Sequence, residues 1–209
     1  MTQETNRNGN TSNRGDPGAP VVNRISHIVI YTNKKYAEMK SWYAAVFNTR
    51  LVYERGDEIT FLTFDSEHHR FAIRYQPQLS DRDDSIAGIA HVGFTFDNLA
   101  ELFATYERLK GAGIEPASAV NHGMTTSLYY RDPIGNKLEL QVENQDNQAD
   151  AIAVLESSER ENILFDPDKM LAAVQSGVPD ATLKSQAYIL DTMMVLARTK
   201  VSSQDLEAR

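Results

Sequence analysis

The chain contains no cysteine. It therefore has neither a disulfide framework nor a thiolate metal site, and any metal must be held by His, Asp or Glu. Histidine is itself scarce, five in 209 residues, so each one is worth locating. Positive charge is in deficit: 21 Lys and Arg against 29 Asp and Glu leave a formal net charge of −8, with a pI of about 5.1. That balance argues against a nucleic-acid or anionic-membrane partner. Long apolar runs are missing, and the N-terminus shows no apolar signal core. A cytoplasmic enzyme is the expectation. The length allows one sizeable core or two small modules.

What is present is a repeat. Residues 1–22 are rich in Asn, Gly and Thr and read as a disordered leader. Then Ile25-Ser26-His27-Ile28-Val29 is matched by Ile89-Ala90-His91-Val92-Gly93, an offset of 91 − 27 = 64. A helical stretch follows each copy, with Met39, Trp42, Tyr43, Val46 and Phe47 in the first. Leu99, Leu102, Phe103, Tyr106 and Leu109 follow in the second, stopped by Gly111 and Gly113. Three strands come next in each: 50–55, 58–64 and 70–76, then 116–121, 125–131 and 137–142. The spacing thus predicts one strand–helix–three-strand module over 23–77 and another over 87–143, joined by the charged segment 77–85.

Residues 120–139 form the most informative stretch. Leu128 and Tyr130, then Leu138, Leu140 and Val142, alternate as in strands that bury one face. Asp132-Pro133-Ile134-Gly135-Asn136 between them is turn chemistry. A hairpin folded about Ile134 sets Tyr129 opposite Glu139, on the face away from the leucines. Aligning the closing hairpins of the two modules matches Asp65 with Asp132, and hence Ala72 with Glu139.

His122, Leu128, Tyr129, Asp132, Pro133, Gly135 and Glu139 together resemble the signature of the type I extradiol (ring-cleaving) dioxygenases of the vicinal oxygen chelate superfamily. The resemblance implies an α+β fold of two tandem βαβββ modules, whose sheets curl around one metal site, with a C-terminal helical tail beyond. It implies His27, His91 and Glu139 as metal ligands, a 2-His-1-carboxylate set suited to Fe(II), with Mn(II) as the alternative. Glu67-His68-His69-Arg70-Phe71-Ala72-Ile73 resembles the family's His-His-x-x-Ala strand, which makes His69 an acid/base beside the oxygen site. His68 is expected to point the other way by strand alternation. His122 and Tyr129 match the pair that hydrogen-bonds the substrate, while Glu67, Arg70 and Arg74 read as surface charge. The implied substrates are a catechol and O2, and a homo-oligomer is expected. Two alternatives share the fold: a glyoxalase-like isomerase, for which Ala72 stands where a second carboxylate is needed, and a non-catalytic ligand-binding protein.

Residues 144–209 lie outside the repeat. The segment 144–150 reads as a hinge. Asp166-Pro167 and Gly177 bracket one helix, and a longer helix is expected over 180–200, with Leu183, Tyr188, Ile189, Met193 and Leu196 on its apolar side. The pair is expected to cover a sheet face or a partner subunit, with a direct role in the active site as the alternative.

Overall fold

The computed structural model describes residues 18–157 and 162–195. Most of the expected leader, and the far end of the second expected tail helix, lie outside those residues. The first module runs β1 (Ile28–Thr32), α1 (Tyr36–Phe47), β2 (Arg50–Arg55), β3 (Ile59–Thr63) and β4 (Phe71–Tyr75). The second runs β5 (Val92–Thr95), α2 (Leu99–Gly111), β6 (Ser118–Asn121), β7 (Thr125–Arg131) and β8 (Lys137–Glu143). The tail adds α3 (Gln148–Glu156), β9 (Ile163–Leu164), α4 (Pro167–Gln175), α5 (Asp180–Leu183) and α6 (Gln186–Thr192).

The strands form two sheets, ordered β1-β4-β3-β2 and β5-β8-β7-β6-β9. This is the α+β arrangement of paired βαβββ modules that the repeat implies. The first and last strands of each module pair in parallel, and the registers agree with the sequence alignment. Val29 faces Ala72 in one sheet, and Gly93 faces Glu139 in the other, with the other residues of each pair related by the offsets 64 and 67.

Each sheet turns one face to its helix and one to the site. Tyr36, Met39, Trp42, Tyr43 and Val46 of α1 are buried, in one apolar cluster with Ile30, Leu62, Phe71 and Ile73. Leu99, Leu102, Phe103, Tyr106 and Leu109 of α2 are buried likewise, with Leu128, Tyr130, Leu138, Leu140 and Val142. The opposite parity, Val29 and Tyr31 in β1 and Tyr129 and Glu139 in β7 and β8, is left for the site. Caps set the helix ends. The Asn98 side chain accepts from Glu101 N at the start of α2, and Gly113 takes φ 76° just past its end. Asn48 ends α1 in the same left-handed region.

Phe47 packs against Phe94 across the modules, ring centroids 4.5 Å apart. The Tyr43 hydroxyl donates to buried Asp132 at 3.0 Å. Asp132 also accepts from the amides of Ile134 and Asn136 within its own turn, as the turn chemistry requires. Burial first, and Asp132 second, push the Tyr43 hydroxyl well above the usual phenol range.

The tail departs from its expected form in three ways. The expected hinge is the cap and first turn of α3: Asn147 accepts from Asp150 N at 3.0 Å. Helix α4 matches its boundary signals, with Asp166 capping and Gly177 at φ 80°. The long second helix is instead broken at Lys184-Ser185 into α5 and α6, so that Leu183 and Ile189 are both fully buried. Two-residue β9 joins the edge of β6. Helix α4 lies against α2, where Tyr106 donates to Asp168 at 2.8 Å, and Asp180 of α5 accepts from Leu99 N at 3.3 Å, while α6 lies against β9 at the edge of the sheet. Among the described residues no helix is long and apolar enough to cross a membrane.

Candidate active site

In the second sheet Glu139 is flanked by Gly93 on one side and Tyr129 on the other, so all three share a face. The Glu139 side chain is only 8% exposed. The Tyr129 hydroxyl donates to Oε1 at 2.7 Å, and His91 Nε2 stands 3.1 Å from Oε2. A buried carboxylate is costly without such partners. Gly93 keeps the space open, since a Cβ there would lie 3.4 Å from Glu139 Oε2. Behind Tyr129, His122 Nε2 is 2.9 Å from the phenol oxygen, and its Nδ1 is 2.8 Å from Oδ1 of Asn162. His91 also lines a cleft of about 310 Å³ between β1 and β5, with Val29, Tyr31, Ile89 and Lys137 on its walls.

His27 and His91 hold equivalent places in the two modules, but one residue ahead of β1 and β5 rather than within them. The strands start later because pairing with their parallel partners begins at Phe71 and Leu138. The His27 ring lies 4.4 Å from that of His69. His69 is 8% exposed and stacked on Phe61 at 4.4 Å and 15°. Burial holds its imidazole below the ordinary histidine range, helped by the nearby His27 and His68. The expectation that His68 points away is corrected: its Nδ1 meets His69 Nδ1 at 2.5 Å. Both residues lie in the bend between β3 and β4, where strand alternation does not apply.

Arg70, read as surface charge, has a structural task. It donates to the carbonyls of Ile25 and Ser26 at 2.8 and 2.9 Å, fixing the backbone that leads into His27, and pairs with Asp65 at 2.7 Å. Its position beside the histidine pair was the available signal. Asn162 was missed altogether, because nothing local to the tail marks it as a partner of His122.

The structure thus brings together His91, Glu139, Tyr129 and His122 in one module, and His27, His68 and His69 in the other. Among the described residues no three His, Asp or Glu side chains are grouped closely enough to hold a metal ion. The donor chemistry nevertheless fits a divalent first-row metal. An imidazole nitrogen and a carboxylate oxygen already face each other, and glycine leaves room beside them. Ala72, the register equivalent of Glu139, is 2% exposed and brings no second carboxylate.

The sequence model of the Glyoxalase/Bleomycin resistance protein/Dioxygenase superfamily matches residues 24–140. The chain belongs to that superfamily. Two curated relatives from Rhodococcus globerulus are close in sequence. Biphenyl-2,3-diol 1,2-dioxygenase 2 is 38% identical over 174 residues, 81% of this chain and 90% of the relative. Biphenyl-2,3-diol 1,2-dioxygenase 3 is 38% identical over 181 residues, 84% and 94% of the two chains. Such shares exceed what residues 1–140 could supply, so the likeness runs on into the tail. Among solved structures, a glyoxylase/bleomycin resistance protein/dioxygenase domain from Frankia sp. EAN1pec superposes with a TM-score of 0.51 at 18% identity, over 61% of this chain and 96% of that one. That match concerns the fold alone. The resemblance drawn from the 120–139 signature is borne out at the level of family.

Proposed function

We propose that the chain is an extradiol dioxygenase, opening the aromatic ring of a catecholic substrate with O2 beside the diol to give a hydroxymuconic-type product. The observation that carries this reading is the buried Glu139 carboxylate, held between His91 Nε2 and the Tyr129 hydroxyl in a chain 38% identical to two relatives with that activity in their names. A non-haem Fe(II), with Mn(II) as the alternative, would be held by His27, His91 and Glu139. When bound, it would supply open positions for the diol and O2 and favour the deprotonated hydroxyl.

The remaining chemistry belongs to the chain's own residues. His122 would take the catechol proton at Nε2, and Tyr129 would hold the substrate oxygen through its hydroxyl. His69, whose neutral form is favoured by burial and whose ring is stacked on Phe61, would accept a proton at one stage and return it at a later one. The isomerase alternative lacks its second carboxylate, because β4 offers Ala72 at that register. The finer expectations, a cytoplasmic homo-oligomer built from modules 23–77 and 87–143 with a tail from 144, form part of this proposal.

The test is anaerobic iron loading, followed by oxygen uptake across catechol, alkyl catechols and biphenyl-2,3-diol, with the yellow ring-opened products read by absorbance. One O2 consumed per diol is expected. Tight iron retention with no uptake on any diol would contradict the reading.

A further inference from the structure

The turn that carries His122 is held largely by the C-terminal tail. Gly123, next in sequence, takes φ +81°, and a Cβ there would stand 2.9 Å from Val154 Cγ1 of α3. Asn121, on the other side, accepts at its side-chain oxygen from Gly123 N at 2.8 Å and donates to the Lys184 carbonyl at 3.1 Å. Its own carbonyl accepts from Gln186 at 3.4 Å. A further tail contact is to the imidazole itself, between His122 Nδ1 and Asn162 Oδ1 at 2.8 Å.

A carboxamide oxygen can only accept, so the proton in that bond belongs to His122 Nδ1. In a neutral imidazole the other nitrogen is then the acceptor. We infer that Asn162 is a positioning residue for the proposed reaction: by accepting from Nδ1–H it fixes the His122 tautomer and leaves Nε2 as the proton acceptor at the site. The inference rests on the reading of the chain as a catechol-cleaving enzyme only for the use made of that acceptor.

Proton bookkeeping along the chain supports the assignment. The single phenolic proton of Tyr129 has two acceptors, Glu139 Oε1 at 2.7 Å and His122 Nε2 at 2.9 Å. The carboxylate takes it, as the shorter bond and the charged acceptor, so with Nδ1–H committed to Asn162 the link between Tyr129 and His122 Nε2 goes without one. One further proton, such as a catechol releases, settles on Nε2. His122 then donates to Tyr129, Tyr129 donates to Glu139, and all three links carry a proton. With the tautomers reversed, Nε2 would already bear its proton and could take none from substrate. Outer partners that orient an imidazole in this way typically change activity about 10–100-fold when removed.

The test reads the tautomer directly, by long-range proton–nitrogen NMR of the nitrogen-labelled full chain at a pH where His122 is neutral. Its signals are assigned by their loss in His122→Gln. The expected result is Nδ1–H in the wild type and in Asn162→Asp, which keeps an acceptor, and a shift towards Nε2–H in Asn162→Leu. Nε2–H in the wild type, or an unchanged tautomer in Asn162→Leu, would overturn the inference. In the iron-loaded enzyme Asn162→Leu should lose about 10–100-fold in turnover at unchanged iron content, and Asn162→Asp should recover most of it. A shifted tautomer with wild-type turnover would overturn the positioning role. The spectrum needs neither metal nor oxygen. A wild type with the Nδ1–H tautomer that cleaves no catechol would therefore overturn the proposed reaction and leave the tautomer assignment standing.

Discussion

The two modules have the same connectivity and the same parallel register, yet they bring opposite chemistry to the space between them. Where β4 carries Ala72 against Val29, β8 carries Glu139 against Gly93. The first module contributes imidazoles, Phe61 and an apolar strand face. The second contributes the buried carboxylate and the chain of hydrogen bonds from it through Tyr129 and His122 to Asn162. Their outer edges differ as well. All six residues of β2 are exposed, and its edge is guarded by charge and by a register shift between Leu51 and Tyr53. The edge of β6 is covered by β9. The covered edge is the one that leads into His122, so the tail supports the second module.

The largest expected effect tests the first module's share. His69→Ala should keep its iron and bind catechol, yet lose about 10²–10⁴-fold in turnover, the usual worth of general acid–base help. Iron content measured beside turnover checks this, and iron lost in parallel would move His69 into the ligand set. Next comes the second module's dependence on the tail. Gly123→Ala meets both a positive φ and the Val154 methyl, and should cost about 1–3 kcal/mol in urea unfolding. Gly113→Ala, with positive φ but open space around it, is the control and should cost less.

A pair of buried tyrosines sharpens the comparison further. Tyr43→Phe removes the donor that joins the first module to Asp132, a bond to a charged group worth about 1.5–3 kcal/mol. The Tyr130 hydroxyl is buried with no hydrogen-bond partner in the described structure, and burial pushes it far above the usual phenol range. Tyr130→Phe should leave unfolding free energy unchanged or slightly raised. The smallest effect belongs to the tail's exposed clamp. Asp168→Asn weakens a pairing with Lys110 whose partners are 58% and 40% exposed, and should cost at most about 1 kcal/mol, less at high salt.

Much of this was legible in the sequence, for identifiable reasons. The repeat and the closing hairpins depend on local alternation and turn chemistry, so the pairing of Tyr129 with Glu139 followed from the residues alone. Where partners come from far along the chain, the sequence is silent. The first strands begin at Ile28 and Val92 because β4 and β8 set their registers. The two-residue β9 has no periodicity to detect and exists only because β6 offers it an edge. The break at Lys184-Ser185 was hidden because apolar residues on either side keep a helical spacing. The ring of His68 turns to His69 because the bend between β3 and β4 suspends strand alternation. Asn162 is an ordinary polar residue until the fold lays it against His122, 40 positions away.

The central claim is that both modules must contribute to one metal centre, and His27 is the residue on which it turns. Iron per chain, measured by mass spectrometry after anaerobic loading and desalting, tests it most directly when wild type, His27→Ala, His91→Ala and Glu139→Ala are compared. The expected result is one iron in the wild type, with iron and oxygen uptake lost together in all three variants. A His27→Ala protein that retains wild-type iron and wild-type uptake would place the centre in the second module alone and contradict the account.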